Sequence, residues 1–110
     1  MAITNICKRK YELSFDADDT VKEVDIDFNG EITFLGVKTP LWTNDVLCYP
    51  FIVDDNGFKI LTVGAVPKGE YITSARPRLV DKTCKIKIEL ESAPGGSGGK
   101  VIIVLWGKIE

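Results

Sequence analysis

The last quarter of the chain constrains the fold most, because it contains two strand patterns joined by a glycine-rich loop. Residues 83–91 alternate strictly between apolar and polar side chains. This is the pattern of an antiparallel strand with one buried face and one face in water. Residues 101–106 are apolar throughout, which predicts a strand covered on both faces. The loop between them, residues 92–99, cannot be helical. We therefore predict a long hairpin whose second strand is central in a sheet.

The rest of the chain continues this pattern of strands and turns. Short alternating segments are separated by turn signals, and no helical period extends beyond one turn. The Asn29-Gly30 pair and residues 54–57 (Asp-Asp-Asn-Gly) predict hairpin turns, and Gly36 predicts a bulge. The sequence therefore predicts an all-β fold, an antiparallel β-sandwich of about eight strands. A jelly-roll and an immunoglobulin-like strand order both remain open, since long-range pairing is not encoded in a local pattern.

Length and composition indicate a single domain. The chain has 110 residues with an apolar share of 45%, enough for a core of its own. We expect residues 1–110 to form one β-sandwich domain, with residues 1–10 as a candidate extended arm. No apolar run approaches the roughly 20 residues that a membrane crossing needs. Charges follow a short apolar piece in residues 1–10, the reverse of a signal peptide, so we expect synthesis in a cytoplasm and no membrane partner.

Charge and cysteine content exclude several further classes. The formal net charge is −2, and the 14 basic and 16 acidic residues are spread along the chain, so we expect no nucleic-acid partner. Cys7, Cys48 and Cys84 are odd in number and widely spaced, which disfavours a disulfide framework or a zinc knuckle. Cys84 lies on the apolar face of its strand pattern and is interpreted as a small hydrophobic residue.

Catalytic signals are weak. The chain contains no histidine, which removes the usual general base and the commonest transition-metal ligand. The pairs Asp25/Asp27 and Glu89/Glu91 could act as acid and base, but solvated outer strand faces are the favoured interpretation. The acidic turn 16–19 is interpreted as a capped turn rather than a calcium site. We expect no catalytic residue, no cofactor, no metal and no enzymatic activity.

Several features are candidates for binding a partner. The loop 95–99 cannot be a phosphate loop, because Lys100 is followed by a strand and not by a helix. It is either a mobile hairpin tip or a pliable tongue that adapts to a neighbouring subunit. Arg76 and Arg78 are surface charges or rim anchors for an acidic partner. Trp42 is expected to pack in a core or an interface. The candidate partner-binding residues are Arg76, Arg78, Trp42, Gly95, Gly96, Ser97, Gly98 and Gly99.

The second half of the chain resembles a group of small tailed-bacteriophage virion proteins. In these proteins an Arg-Pro-x-Leu piece, an alternating strand, a Ser-x-Ala-Pro-Gly-Gly-like loop and a closing apolar strand recur in that order. The corresponding segments here are residues 75–79, 84–88, 92–99 and 101–105, with Ser92-Ala93 directly before the proline. The turn at residues 54–57 is similar too, whereas the resemblance does not extend to residues 1–44.

The resemblance implies a non-enzymatic structural protein of a phage virion. It favours a capsid decoration (cement) protein on the capsid surface, bound to the major capsid protein lattice or to other virion subunits. Such a protein would be a homo-oligomer or bound to the lattice. The alternatives are a tail or head-to-tail connector subunit and a carbohydrate-binding β-sandwich that uses Trp42 with Tyr49 or Tyr71. A small enzyme is disfavoured by the missing histidine.

Overall fold

A computed structural model describes residues 5–109, and its regular structure is entirely β. The nine strands are β1 (Asn5–Phe15), β2 (Val21–Asp25), β3 (Gly30–Lys38), β4 (Cys48–Val53), β5 (Lys59–Thr62), β6 (Tyr71–Ser74), β7 (Arg78–Val80), β8 (Lys85–Leu90) and β9 (Gly99–Ile109).

The strands pair antiparallel in a nested order, the first with the last and inward from there. β1 pairs with β9, β2 with β8, β3 with both β6 and β7, and β4 with β5. Sheet A has the order β1-β9-β3-β6, with β7 also on β3, and sheet B has the order β2-β8-β4-β5. This confirms the predicted β-sandwich. Nested pairing across two sheets is the jelly-roll arrangement, which decides between the two strand orders left open by the sequence.

β6 and β7 behave as one interrupted strand beside β3. β6 pairs with Leu35–Lys38 and β7 with Gly30–Ile32, at the two ends of the same neighbour. The interruption contains Pro77, which has no amide hydrogen to donate to a ladder. This interruption divides one strand into two, so the sandwich predicted to have about eight strands has nine in the described residues.

The predicted hairpin of the last two strands is wrong. β8 belongs to sheet B and β9 to sheet A, so residues 91–98, here called the crossing loop, connect the two layers. β9 is central in its sheet as predicted, but its neighbours are β1 and β3. The reason is that alternation specifies which face of a strand is buried and says nothing about which strand lies beside it.

The Asn29-Gly30 hairpin prediction is also wrong, because β2 and β3 lie in different sheets. Asn29 Oδ1 accepts a hydrogen bond from the backbone N of Lys82 (3.1 Å), and a Cβ on Gly30 would collide with the carbonyl oxygen of Lys108. The pair is therefore a tightly packed crossing between layers. The hairpin predicted at residues 54–57 is confirmed, since it joins β4 and β5 within sheet B.

The core lies between the inner faces of the two sheets. In β8 the predicted buried face is confirmed, since Cys84, just before the strand, and Ile86, Ile88 and Leu90 within it are all buried. The prediction that residues 101–106 are covered on both faces is wrong. Alternate residues of that segment are buried, but Ile102 and Val104 are half-buried and Trp106 is 41% exposed. The outer face of sheet A thus carries apolar side chains that the rest of residues 5–109 does not fully cover.

All three cysteines are buried free thiols. Burial raises the pKa of Cys48 to about 12 and also raises the pKa of Cys84. Because the thiolate is the reactive form, these two side chains are poor nucleophiles, and they serve as small core residues.

The N-terminal segment is described from Asn5 onward, and residues 5–10 belong to β1. Residues 1–4 lie outside the described residues, so the interpretation of residues 1–10 as an arm stays a prediction. Within residues 5–109 there is no helix with the length and apolar character that a membrane crossing would require.

Candidate interaction surface

The crossing loop is held against the body of its own chain. The backbone N of Gly95 donates to the carbonyl oxygen of Ala17 (3.0 Å), and the backbone N of Asn44 donates to that of Pro94 (2.8 Å). The Asn44 side chain adds a third hydrogen bond, from Nδ2 to the Ala93 oxygen (3.0 Å). The loop is therefore not the tip of a hairpin, and its adaptation to a neighbouring subunit stays a prediction.

Two glycines of this region are required by close packing. Gly98 has a φ of +70°, and a Cβ there would collide with the carbonyl oxygen of Phe15. At Gly99 a Cβ would lie 2.6 Å from Cγ of Pro40 and 3.3 Å from the ring of Trp42. Intramolecular packing thus accounts for these two glycines. A role of Gly95, Gly96, Ser97, Gly98 and Gly99 in binding a partner stays a prediction.

Trp42 is a core residue. Its side chain is 3% exposed and packs edge-to-face on Phe15, with ring centroids 6.2 Å apart. Its Nε1 is buried and has no hydrogen-bond partner among the described residues. The platform of Trp42 with Tyr49 or Tyr71 is therefore not present. Trp42 is inside, Tyr49 lies on the outer face of sheet B, and Tyr71 lies on the outer face of sheet A.

Arg76 and Arg78 are exposed and lie at the edge of the sandwich near β5 and β6. Arg78 Nε donates to the carbonyl oxygen of Ile60 (2.8 Å), which connects β7 of sheet A to β5 of sheet B. Arg76 borders a depression of about 380 Å³ with Thr62, Thr73 and Ala75 among its other lining residues. Both side chains are accessible, and their role toward a partner stays a prediction.

The two carboxylates of the Asp25/Asp27 pair contact different partners. Asp25 lies on the outer face of sheet B, 3.8 Å from Lys85 Nζ. Asp27 accepts hydrogen bonds from Arg9 Nε (3.0 Å) and the Tyr11 hydroxyl (3.2 Å). Burial alone would raise the pKa of Asp27, but the hydrogen bond and charge of Arg9 outweigh it, and the pKa is lowered. Desolvation together with Asp27 raises the pKa of Tyr11 to about 12.

Two other acidic candidates, Glu91 and Asp19, accept backbone hydrogen bonds. Glu91 Oε1 accepts a hydrogen bond from the backbone N of Leu47 (2.8 Å). In the turn 16–19, Asp19 Oδ2 accepts from the backbone N of Asp16 (2.8 Å) and lies 3.3 Å from Lys22 Nζ. This is the geometry of a capped turn. Across the described part of the chain, no three or more His, Cys, Asp or Glu residues are placed to hold a metal ion.

The outer face of sheet A is a surface that the sequence analysis missed. Eight large apolar side chains are exposed in residues 5–109, and four of them share this face, which makes it the main apolar surface. The four are Ile6, Tyr71, Leu79 and Trp106, placed together by the pairing of β1, β9, β3, β6 and β7. Half-buried Phe34, Ile102 and Val104 lie between them. The uniformly apolar segment 101–106 indicates such a surface, because only one face of a strand can point into the core of a two-layer sandwich and the apolar residues of the other face then lie outside.

A shallow groove of about 270 Å³ runs over this face at Gly36. Phe34, Lys38, Tyr71, Ile102 and Val104 line it around the glycine. The register irregularity of β3 lies between Ile32 and Phe34, so the bulge predicted at Gly36 is wrong. Gly36 instead provides the floor of the groove.

Comparisons with solved structures find proteins of this fold in phages. A prophage-derived protein, YomS of the SPBc2 prophage, matches with a TM-score of 0.62 and 18% identity over 96% of this chain and 98% of its own. A chain of the cyanophage Pam1 capsid matches with a TM-score of 0.63 and 13% identity, over 97% and 86%. A capsid chain of the Helicobacter pylori bacteriophage KHP30 matches with a TM-score of 0.56 and 10% identity, over 96% and 93%.

The same fold also occurs outside phages. A protein of the Bacillus endospore appendages, described as disulfide-linked pili, matches with a TM-score of 0.57 and 12% identity over 99% of this chain and 93% of its own. No family model and no curated protein sequence matches the chain. At these identities the likeness establishes the fold, and it establishes that phage capsid and prophage proteins are among the proteins that share it.

Proposed function

We propose that this chain is a non-enzymatic structural protein of a phage virion, and specifically a decoration protein that binds the outer surface of the capsid lattice. The observation that carries the proposal is the whole-length match to prophage and capsid proteins. The chain and the YomS protein cover one another almost completely, at 96% and 98%. This agrees with the Arg-Pro-x-Leu and Ala-Pro-Gly-Gly segments that resemble small virion proteins.

The structure supports a role in binding rather than in chemistry. Of the carboxylates considered for catalysis, Asp25 and Asp27 lie in surface ion pairs and Glu91 accepts a backbone hydrogen bond, and the two thiols with raised pKa values are buried. A rigid sandwich with an apolar outer face suits repeated docking at equivalent positions of a shell. Many copies, each with a modest interface, then stabilise the shell by mass action.

The test is reconstitution on capsids that lack the protein. Purified protein is added to capsids from a deletion mutant of the encoding phage, and occupancy is read by electron cryo-microscopy. We expect saturable density at fixed capsomer positions and a higher melting temperature of the decorated shells. Absence of density on capsids, with the protein on tails or free in the lysate, would contradict the decoration role.

A tail or head-to-tail connector subunit is the second candidate. The endospore-appendage match supports it, because that protein shares the fold and is described as part of a pilus, a filament rather than a shell. Density at the tail or at the capsid vertex in the same experiment distinguishes this candidate from decoration. A carbohydrate site built on Trp42 loses its basis, since Trp42 is buried.

A further inference from the structure

The two outer faces of the sandwich differ in charge as well as in apolar content. The outer face of sheet A carries five lysines and two glutamates, which leaves a net charge of +3. These residues are Lys8, Lys10, Lys38, Lys100, Lys108, Glu12 and Glu31. The outer face of sheet B carries three lysines and three acidic residues, which balance. These are Lys59, Lys85, Lys87, Glu23, Asp25 and Glu89. The positive face stands out because the chain as a whole has a charge of −2.

The lysines border the apolar centre of sheet A on the β1 side and at the ends of β9 and β3. Lys8 Nζ lies 5.3 Å from the ring centroid of Trp106, and Lys38 lines the groove beside Tyr71. A long lysine side chain at the border of an apolar patch can reach a carboxylate on a partner while its methylenes cover the patch. Positive groups around an apolar centre match the polar rim and apolar core of a protein interface.

The backbone conformation at residue 36 does not require a glycine. Gly36 is not among the glycines with positive φ, so another residue could adopt its conformation. A Cβ there would lie 3.3 Å from Cε1 of Phe34 and would begin to fill the groove. Glycine at this position therefore keeps an apolar recess open between β9, β3 and β6 on the positive face.

We propose that the outer face of sheet A is the docking surface of this protein, and that it binds an acidic segment of another virion protein. One apolar side chain of that segment occupies the groove over Gly36, and flanking carboxylates pair with Lys8 and Lys38. The inference rests on the proposed function for the identity of the partner as a virion protein. The surface itself follows from the apolar and charged residues of the sheet.

Charge also argues against two other occupants. A second copy bound face to face would place lysines against lysines, which is unfavourable. A nucleic acid needs a continuous basic stripe, whereas Ile102, Val104 and Trp106 separate the two lysines of β9 on this face. An acidic protein segment satisfies the lysines and the apolar recess together.

The test uses the full chain and a peptide probe, Asp-Glu-Asp-Leu-Phe-Asp-Glu-Asp. Binding is followed by amide shifts in ¹⁵N-labelled protein. The control probes are the same peptide with lysines at its acidic positions and the same peptide with alanines for Leu-Phe. We expect saturable shifts on β9, β3 and β6 with the acidic peptide, and at least about tenfold weaker binding of both control peptides.

Two variants with matched controls locate the site. Gly36→Val fills the groove, and Thr62→Val places a valine on the exposed face of β5 in sheet B. The double change Lys8→Glu/Lys38→Glu reverses two charges at the site, and Lys82→Glu/Lys87→Glu makes an equal change elsewhere. We expect the first of each pair to weaken peptide binding about tenfold and its control to leave it unchanged. The amide spectrum of each variant shows whether it is folded.

Other results would overturn the assignment. Peptide-induced amide shifts on sheet B, or equal effects of a variant and its control on peptide binding, would contradict the site. Binding of a 20-nucleotide single strand more tightly than the acidic peptide, or self-association of the protein that Gly36→Val abolishes, would contradict the proposed occupant. The capsid experiment separates this inference from the proposed function. If wild type and Gly36→Val decorate capsids equally, the docking surface is assigned wrongly and the decoration role still stands. If the peptide binds at sheet A but the protein gives no density on capsids, the decoration role is wrong and the docking surface still stands.

Discussion

Two glycine-containing turns of this protein are supported in opposite ways. The turn at residues 54–57 joins neighbours within sheet B and is self-contained, since Asp54 Oδ1 accepts from the backbone N of Asn56 and of Phe58, both at 2.9 Å. The crossing loop 91–98 passes between sheets and is held by Ala17 and Asn44, which are distant in sequence. A turn within one sheet can be specified locally, whereas a crossing depends on the segments against which it packs.

The largest expected effect is at Gly98 in the crossing loop. Gly98→Ala combines a φ of +70° with a Cβ that meets the backbone oxygen of Phe15, which cannot move without disturbing the β1–β9 ladder. We expect a loss of about 2–4 kcal/mol in the free energy of unfolding. Urea denaturation followed by circular dichroism measures it. A loss below about 1 kcal/mol would mean that the loop is not held as described.

Asn44 and Gly95 test whether the loop and its support are coupled. A Cβ on Gly95 would lie 2.6 Å from Asn44 Nδ2, the atom that donates to Ala93. We expect Asn44→Ala to lower the free energy of unfolding by about 1 kcal/mol and Gly95→Ala by about 1–2 kcal/mol. The loss in the double variant should be smaller than the sum of the two single losses. A double-mutant cycle by urea denaturation gives the coupling energy, and simple additivity would show that the two residues act independently.

Gly57 provides the matched test in the self-contained turn. Its φ is +84°, but a Cβ there would have no atom within 4 Å. Gly57→Ala therefore introduces only backbone strain, and we expect a loss of about 1 kcal/mol or less. The difference between the losses for Gly98→Ala and Gly57→Ala, measured under the same conditions, gives the contribution of the Cβ collision at Gly98 to the loss of stability. Equal losses at the two glycines would remove the distinction between the turns.

The smallest effect concerns acid stability near the Asn29-Gly30 crossing, where Asp27 is supported by Arg9 of β1. The pKa of Asp27 is lowered in the folded state, so its contribution is present above the ordinary aspartate pKa of about 4 and is lost as pH falls below it. The pair is largely exposed, so we expect about half a kcal/mol or less. Thermal unfolding of wild type and Arg9→Gln at pH 7 and pH 3 measures this. A difference that grows toward pH 3 would have the wrong sign.

The candidate site was less predictable than the fold. Trp42 and the glycines at 95–99 drew attention because large aromatics and flexible loops are frequent in interfaces, but in this molecule Trp42 packs on Phe15 and Gly99 lies against Pro40. The outer face of sheet A was not predicted, because it is assembled from five strands. Its lysines and apolar residues are separated by up to about a hundred positions along the chain.

The sequence by itself determined which residues form strands and, for most strands, which face is buried. The alternation of residues 83–91 and the hairpin at residues 54–57 are local signals, and both were read correctly because side-chain direction and turn geometry depend on a few neighbouring residues. Only the tertiary structure decided which strands pair. In a jelly roll most partners are distant in sequence, as β1 and β9 are, so the choice depends on how the two layers close over a shared core.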